Sequence, residues 1–149
     1  MNGDFVIALH AEVFLRHKGG WLTSEEIAGN ICTNAVCVRR VMARLVRAGL
    51  AEKKEGAAHG GYRYAEGKRV TLRDVADAVG AEFADIRYRS GNVEKPCMIA
   101  SGMADYVGGL CAELDAICRN KLAEIAVEDV EAELSRMRRE RKENADGRK

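Results

Sequence analysis

The stretch from Thr23 to Gly49 constrains the fold most, because it packs a helix start, a tight turn, a second helix start and a stop into one short run. Thr23-Ser24-Glu25-Glu26 reads as a capping box: the threonine hydroxyl accepts from the Glu26 amide and the Glu26 carboxylate reaches back. A short helix from Glu25 to about Ile31 follows. Ile31-Cys32-Thr33-Asn34 then reads as a turn, with Thr33 or Asn34 as N-cap of a helix that runs to Ala48 and is closed by Gly49. On that helix Val38, Val41, Met42, Leu45 and Ala48 share one side. Val36, Arg40, Arg44 and Arg47 share the other, with Arg39 at its margin. A helix of this pattern buries one face and leaves a basic face opposite.

The flanking segments extend this core. Phe5, Leu9 and Val13, with Ile7 and Phe14, recur at helical spacing over residues 4–17, and Gly19-Gly20 stops the run. Leu50–Lys54 and Gly61–Tyr64 read as short extended segments joined by the small residues of Glu55-Gly56-Ala57-Ala58-His59-Gly60, a two-stranded wing. Thr71 caps a fourth helix that ends near Gly80. Residues 81–102 are mostly loop, marked by Ser90-Gly91-Asn92 and the one proline, Pro96. Periodicity then returns: Met103, Val107, Leu110, Leu114 and Ile117 form a heptad-like seam, and Val127, Val130, Leu134 and Met137 repeat it. The expected organisation is a winged helix-turn-helix at 1–80, a linker and candidate sensor loop at 81–102, dimerisation helices at 103–137, and a charged tail at 138–149 that frays or is disordered. The fold class is mainly α with a small β wing and a long C-terminal dimerisation helix.

Charge supports a polyanion partner for the first half. The chain as a whole carries +1, but residues 1–70 hold 11 basic against 7 acidic residues and residues 71–149 hold 13 against 16. That split of +4 and −3 places the attraction where the winged helix is. Aromatic residues make up only 5%, which disfavours a stacking platform for single strands. No apolar stretch is long enough to span a membrane, and the N-terminal run lacks a signal-peptide pattern, so the expected location is the cytoplasm.

An arginine-faced third helix followed by a glycine-tipped wing suits double-stranded DNA, with the helix in the major groove and the wing on phosphates. The expected contact set is Ser24, Thr33, Asn34, Val36, Arg39, Arg40, Arg44 and Arg47, with Lys53, Lys54, His59, Gly60, Gly61, Tyr62 and Arg63 from the wing. Arg39 and Arg40 are placed for bidentate contact with guanine edges or phosphates. His10, His17 and His59 are scattered without zinc spacing, and no serine, histidine and acid cluster marks a catalytic site. No enzyme is expected.

The ordered motifs Leu22–Ala28, Thr33–Met42, Leu45–Leu50, Gly60–Tyr64 and Val70–Val75 resemble the Rrf-two family of bacterial transcription regulators, which includes the IscR, NsrR and CymR types. The resemblance covers roughly residues 5–80, and the helix after residue 102 is similar to that family's dimerisation helix. It implies a homodimer that binds palindromic DNA through the third helix and wing. Members that hold an iron–sulfur cluster carry three closely spaced cysteines before and at the start of the long helix. Here Cys97 stands in that region, but Met103 and Gly109 follow at the next two intervals of six. No cofactor is therefore expected.

Five cysteines, at 32, 37, 97, 111 and 118, form no C-x-x-C pair, so reduced thiols are the expectation. Cys32, Cys37, Cys111 and Cys118 read as packing residues. Cys97 follows Lys95-Pro96 just before a helix start, where positive charge and amide dipoles lower a thiol's pKa, and is the candidate sensor. Two other readings stand beside the regulator: a winged-helix protein-interaction module, whose mark is a neutral third helix, and an iron–sulfur or thiol redox protein, which needs further ligands or a resolving cysteine near Cys97.

Overall fold

The computed structural model describes residues 3–148, so the outermost positions of the expected first domain and tail, 1–2 and 149, lie outside the described residues. Six helices and one hairpin follow in the order α1 (Gly3–Lys18), α2 (Ser24–Ile31), α3 (Ala35–Arg47), β1 (Ala51–Lys54), β2 (Gly61–Tyr64), α4 (Leu72–Val79), α5 (Met98–Ala123) and α6 (Val127–Asp146).

Local chemistry sets the first boundaries. The capping box at α2 is formed, Glu26 N donating to Thr23 Oγ1 at 3.1 Å and Thr23 N to a Glu26 carboxylate oxygen at 2.7 Å. Asn34, not Thr33, caps α3, accepting from Cys37 N at 2.8 Å. Thr71 and Asp74 make a second capping box at α4. Between α2 and α3 the chain turns through Cys32 at φ +62°, the one non-glycine residue with positive φ among the described residues. Cys32 is exposed there, so it ends α2 rather than packing the core as expected.

The core forms where α1, α2, α4 and β1 converge on α3. Val38, Val41, Met42 and Leu45 of α3 are fully buried with Ala8, Leu15, Ile27, Val70 and Val75. At about 1.5–3 kcal/mol for each large apolar side chain, that face dominates the packing. Ala48, expected on the same face, is exposed, because it caps α3 after the helix has passed the core. The hairpin pairs Ala51 with Tyr64 through Lys54 with Gly61, and Tyr62 exchanges two 2.8 Å backbone hydrogen bonds with Leu22. The wing is thereby tied to the entry of α2.

The second half departs from expectation at both ends. α5 begins at Met98, five residues before the expected seam, and α6 runs to Asp146 through the segment expected to fray. Arg136 supports that extension through ion pairs to Glu133 and Glu140, one turn to either side. α5 has no buried residue over its 26 residues; Cys111 and Cys118 are only half-buried. It is held near its C-terminal half, where Arg119 joins Asp115, Asp77 and the Ala81 carbonyl, and Asp115 accepts from Phe83 N at 2.8 Å. The turn into α6 is fixed by backbone: Leu72 N donates to Ile125 O and Val127 N to Val70 O, both at 2.9 Å.

One core residue is out of place chemically. Glu12 is fully buried and neither carboxylate oxygen has a hydrogen-bond partner among the described residues. Burial pushes its pKa up to about 8, with Lys68 only partly opposing. The folded state thus holds it protonated at neutral pH while the unfolded chain ionises near 4.5. Because the folded pKa is the higher, this residue's contribution is fully present below the unfolded value and is lost as pH rises toward 8. Glu12→Gln, neutral at every pH, is expected to flatten the fall in stability between pH 5 and pH 8 and to be more stable than the parent at pH 8 by about 1–3 kcal/mol. Thermal or urea melts across that range check it.

Candidate nucleic-acid interface

Packing α3 by one face leaves Val36, Arg40, Ala43 and Arg47 pointing outward, and Val36 is 67% exposed. Arg39 lies on the flank toward α2, where it donates to Ser24 Oγ at 3.1 Å and Glu25 Oε1 at 3.2 Å. The start of α2, Arg39 and the wing then line one groove of 340 Å³, which also takes in Lys53, Lys54, Gly60 and Gly61. Five of the expected contact residues from distant parts of the chain, together with Ser24 and Tyr62, are brought together by that arrangement.

The other flank is different. Arg40 makes a bidentate pair with Asp4 of α1 at 2.6 and 2.8 Å, and Arg44 reaches the same carboxylate at 3.3 Å. The Arg40 hydrogen bonds hold the Asp4 carboxyl below its usual range. Arg44 also donates to the Val79 carbonyl at 3.0 Å, the C-terminal end of α4, and is half-buried. It fastens α1, α3 and α4 together, so its charge is partly committed to the fold. Arg47 has no ion-pair partner among the described residues.

Wing residues divide in the same way. His59 is exposed at the tip, beyond the paired strands. Lys53 is paired with Glu55, and Arg63 with Glu52 directly across the hairpin. Tyr62, expected at the DNA surface, is only 6% exposed and belongs to the core, because the strand alternation turns it inward with Tyr64. Thr33 is half-buried in the turn. Trp21 escaped sequence reading altogether: the Arg63 guanidinium sits 4.6 Å from its ring centre and the Lys54 ammonium 5.7 Å, a stack that stiffens the base of the wing. Its partners lie more than thirty residues away, so no local pattern marks it.

Cys97 lies exposed at the N-cap of α5, and the amides of Ala100 and Ile99 lower its thiol pKa. The other cysteines of the arm do not join it. Along α5 they stand about 21 Å and a further 10 Å away at the helical rise of 1.5 Å per residue. Cys32 and Cys37 belong to the α2–α3 region.

A small hairpin on a tri-helical core with an arginine-bearing third helix is a winged helix-turn-helix, and similar folds are those of transcription regulators. A protein from Lactobacillus plantarum described as a candidate transcriptional regulator superposes with a TM-score of 0.78 at 20% identity, covering 99% of each chain. IscR of T. potens superposes at 0.65, with 14% identity over 90% of this chain and 87% of that one. CymR (YrzC), the global cysteine regulator of B. subtilis, gives 0.63 and 16% over 89% and 95%. No curated protein sequence matches. The Rrf2 profile, described as an iron-dependent transcriptional regulator, matches residues 1–133. The chain belongs to the Rrf2 (Rrf-two) family of transcription regulators, and it is not an enzyme.

Iron is implied by that description, and the donor set of this chain does not fit it. Among the described residues no three His, Cys, Asp or Glu side chains converge to hold a metal, and the arm's thiols are spread along one helix.

Gly61 is one position on which the groove's geometry depends. Its φ is +143°, and an added Cβ comes 2.3 Å from the Leu22 carbonyl oxygen, so any side chain pushes β2 off the α2 entry. Gly61→Ala is expected to lower stability by about 1–3 kcal/mol, read from thermal melts, and to loosen protection of the Leu22 and Tyr62 amides in hydrogen exchange.

Proposed function

We propose that the protein is a dimeric, sequence-specific regulator that reads duplex DNA with the outward face of α3 and grips phosphates with the wing. The observation that carries this reading is the convergence of Arg39, Lys53 and Lys54 on one groove beside an exposed helix face. A neutral third helix, the mark of a protein-interaction module, is not what α3 presents: Arg39, Arg40, Arg44 and Arg47 all lie on it. In the DNA complex, phosphates compete with Asp4 for Arg40 and with Glu25 for Arg39, which exchanges one charge-assisted pair for another. His59, Arg63 and Asn34 complete the contact set at its edges, with Ser24, Thr33, Val36, Gly60 and Gly61 lining it.

The dimer reading rests on α5. Met103, Leu110, Leu114 and Ile117 are all exposed on a helix that has no fully buried residue, Ile117 at 64%. A second α5 laid on this seam, with Val107 in its centre and Gly108-Gly109 allowing close approach, removes that apolar surface from water. Cys97, exposed and with a lowered thiol pKa, supports a thiol-responsive input at the start of the same helix.

Three outcomes test the reading. Arg39→Ala and Arg40→Ala are each expected to cost about 1–3 kcal/mol of binding to a selected genomic fragment and to relax its sequence preference, against a steep salt dependence of the parent. Absence of any preferred sequence at moderate salt defeats the DNA reading. Leu110→Lys with Leu114→Lys is expected to give monomers in sedimentation at micromolar concentration, with weakened DNA binding. Oxidant is expected to change DNA affinity in the parent and to leave Cys97→Ser unaffected; an equal response in both removes Cys97 as the sensor.

A further inference from the structure

A second cleft lies between α1 and α6 and shares no lining residue with the α3–wing groove. Its volume is 560 Å³, within the range of about 300–1,000 Å³ that small-molecule sites occupy. Val6, Leu9, Val13, Phe14, Val130 and Leu134 give it an apolar lining. Leu134 is 52% exposed, and apart from Met137 it is the one large apolar side chain exposed on α6 among the described residues, so the apolar strip is confined to this cleft and its edge.

Charge at the cleft is one-sided. Glu131, its one carboxylate, is held by Arg16 and by His17 Nδ1 at 2.9 Å, so its negative charge is already matched. Lys18 and Arg138 also line the cleft, both exposed, and neither has an ion-pair partner among the described residues. An apolar trough with two unmatched cations complements a molecule that has a hydrophobic body and an anionic head.

We propose that the α1–α6 cleft binds an amphipathic organic anion, of the class of alkyl or aryl carboxylates. The body lies on Leu9, Val13, Phe14 and Leu134, and the carboxylate pairs with Lys18 or Arg138. One wall belongs to α1, whose Asp4 holds Arg40 and Arg44 of α3; the other belongs to α6, continuous with the arm that carries α5. A ligand touching both walls senses their spacing, and it alters DNA affinity to the extent that the DNA-bound state changes that spacing.

The test needs no DNA, so its outcome is separate from that of the regulator reading. Dodecanoate, dodecanol and dodecyltrimethylammonium are titrated below their micellar concentrations into the full chain by calorimetry. Dodecanoate is expected to fill one site per chain about ten-fold more tightly than the cationic probe. Lys18→Glu with Arg138→Glu is expected to erase that preference, and Leu134→Asp to weaken all three probes, with thermal melts confirming that both variants fold. Equal binding of the anionic and cationic probes overturns the proposal. So does binding that ignores Leu134→Asp, which places the probes on α5 instead. A change of sedimentation coefficient in Leu134→Asp also overturns it, because the cleft is then a contact between subunits.

Discussion

Burial of one face of α3 is the constraint on which the molecule depends. Val38, Val41, Met42 and Leu45 are withdrawn completely from water, and α1, α2, α4 and β1 are the walls that do it. Helical geometry then leaves no freedom in the remainder: with those four inside, Val36, Arg40 and Arg47 must face out, while Arg39 and Arg44 fall on opposite flanks. Each flank meets an acid from a neighbouring helix, Glu25 on one side and Asp4 on the other. The basic outward face of α3 is what the core has no use for.

The arm follows the opposite logic. α5 is long and carries an apolar seam of which Met103, Leu110, Leu114 and Ile117 stay exposed; it is attached by Leu122 on the core, by the Arg119–Asp115 cluster and by Asn92 and Arg89 near its start. The backbone links from residues 70–72 to the α5–α6 turn bring α6 back along α1. A single chain therefore has a packed head, to which Val127 of α6 contributes, and an arm that leaves most of its apolar seam in water. The α1–α6 cleft lies where head and arm meet, whereas Cys97 stands at the far end of α5 from Arg119.

Much of this was legible before any coordinates. The Thr23 and Thr71 capping boxes, the stop at Gly49, the wing strands and the seam of α5 rest on residues within a few positions of one another, where local hydrogen bonding and side-chain period decide the outcome. The tail from residue 138 was misread because its helix is stabilised by ion pairs between neighbouring turns rather than by an apolar stripe, the signal that periodicity registers. Cys32 was misread because a left-handed helix cap was not anticipated at a residue that carries a Cβ.

The sequence by itself determined the order of elements, the packed face of α3, the basic character of its opposite face and the position of the wing, since each follows from spacing along the chain. Only the tertiary structure decided that Asp4 holds Arg40 and Arg44, that Trp21 stacks under Arg63, that Tyr62 turns inward and that Glu12 is buried without a partner. The reason is distance along the chain. Each of these depends on groups tens of residues apart, and the energy that unites them belongs to packed helices and strands, whose relative placement no local pattern encodes.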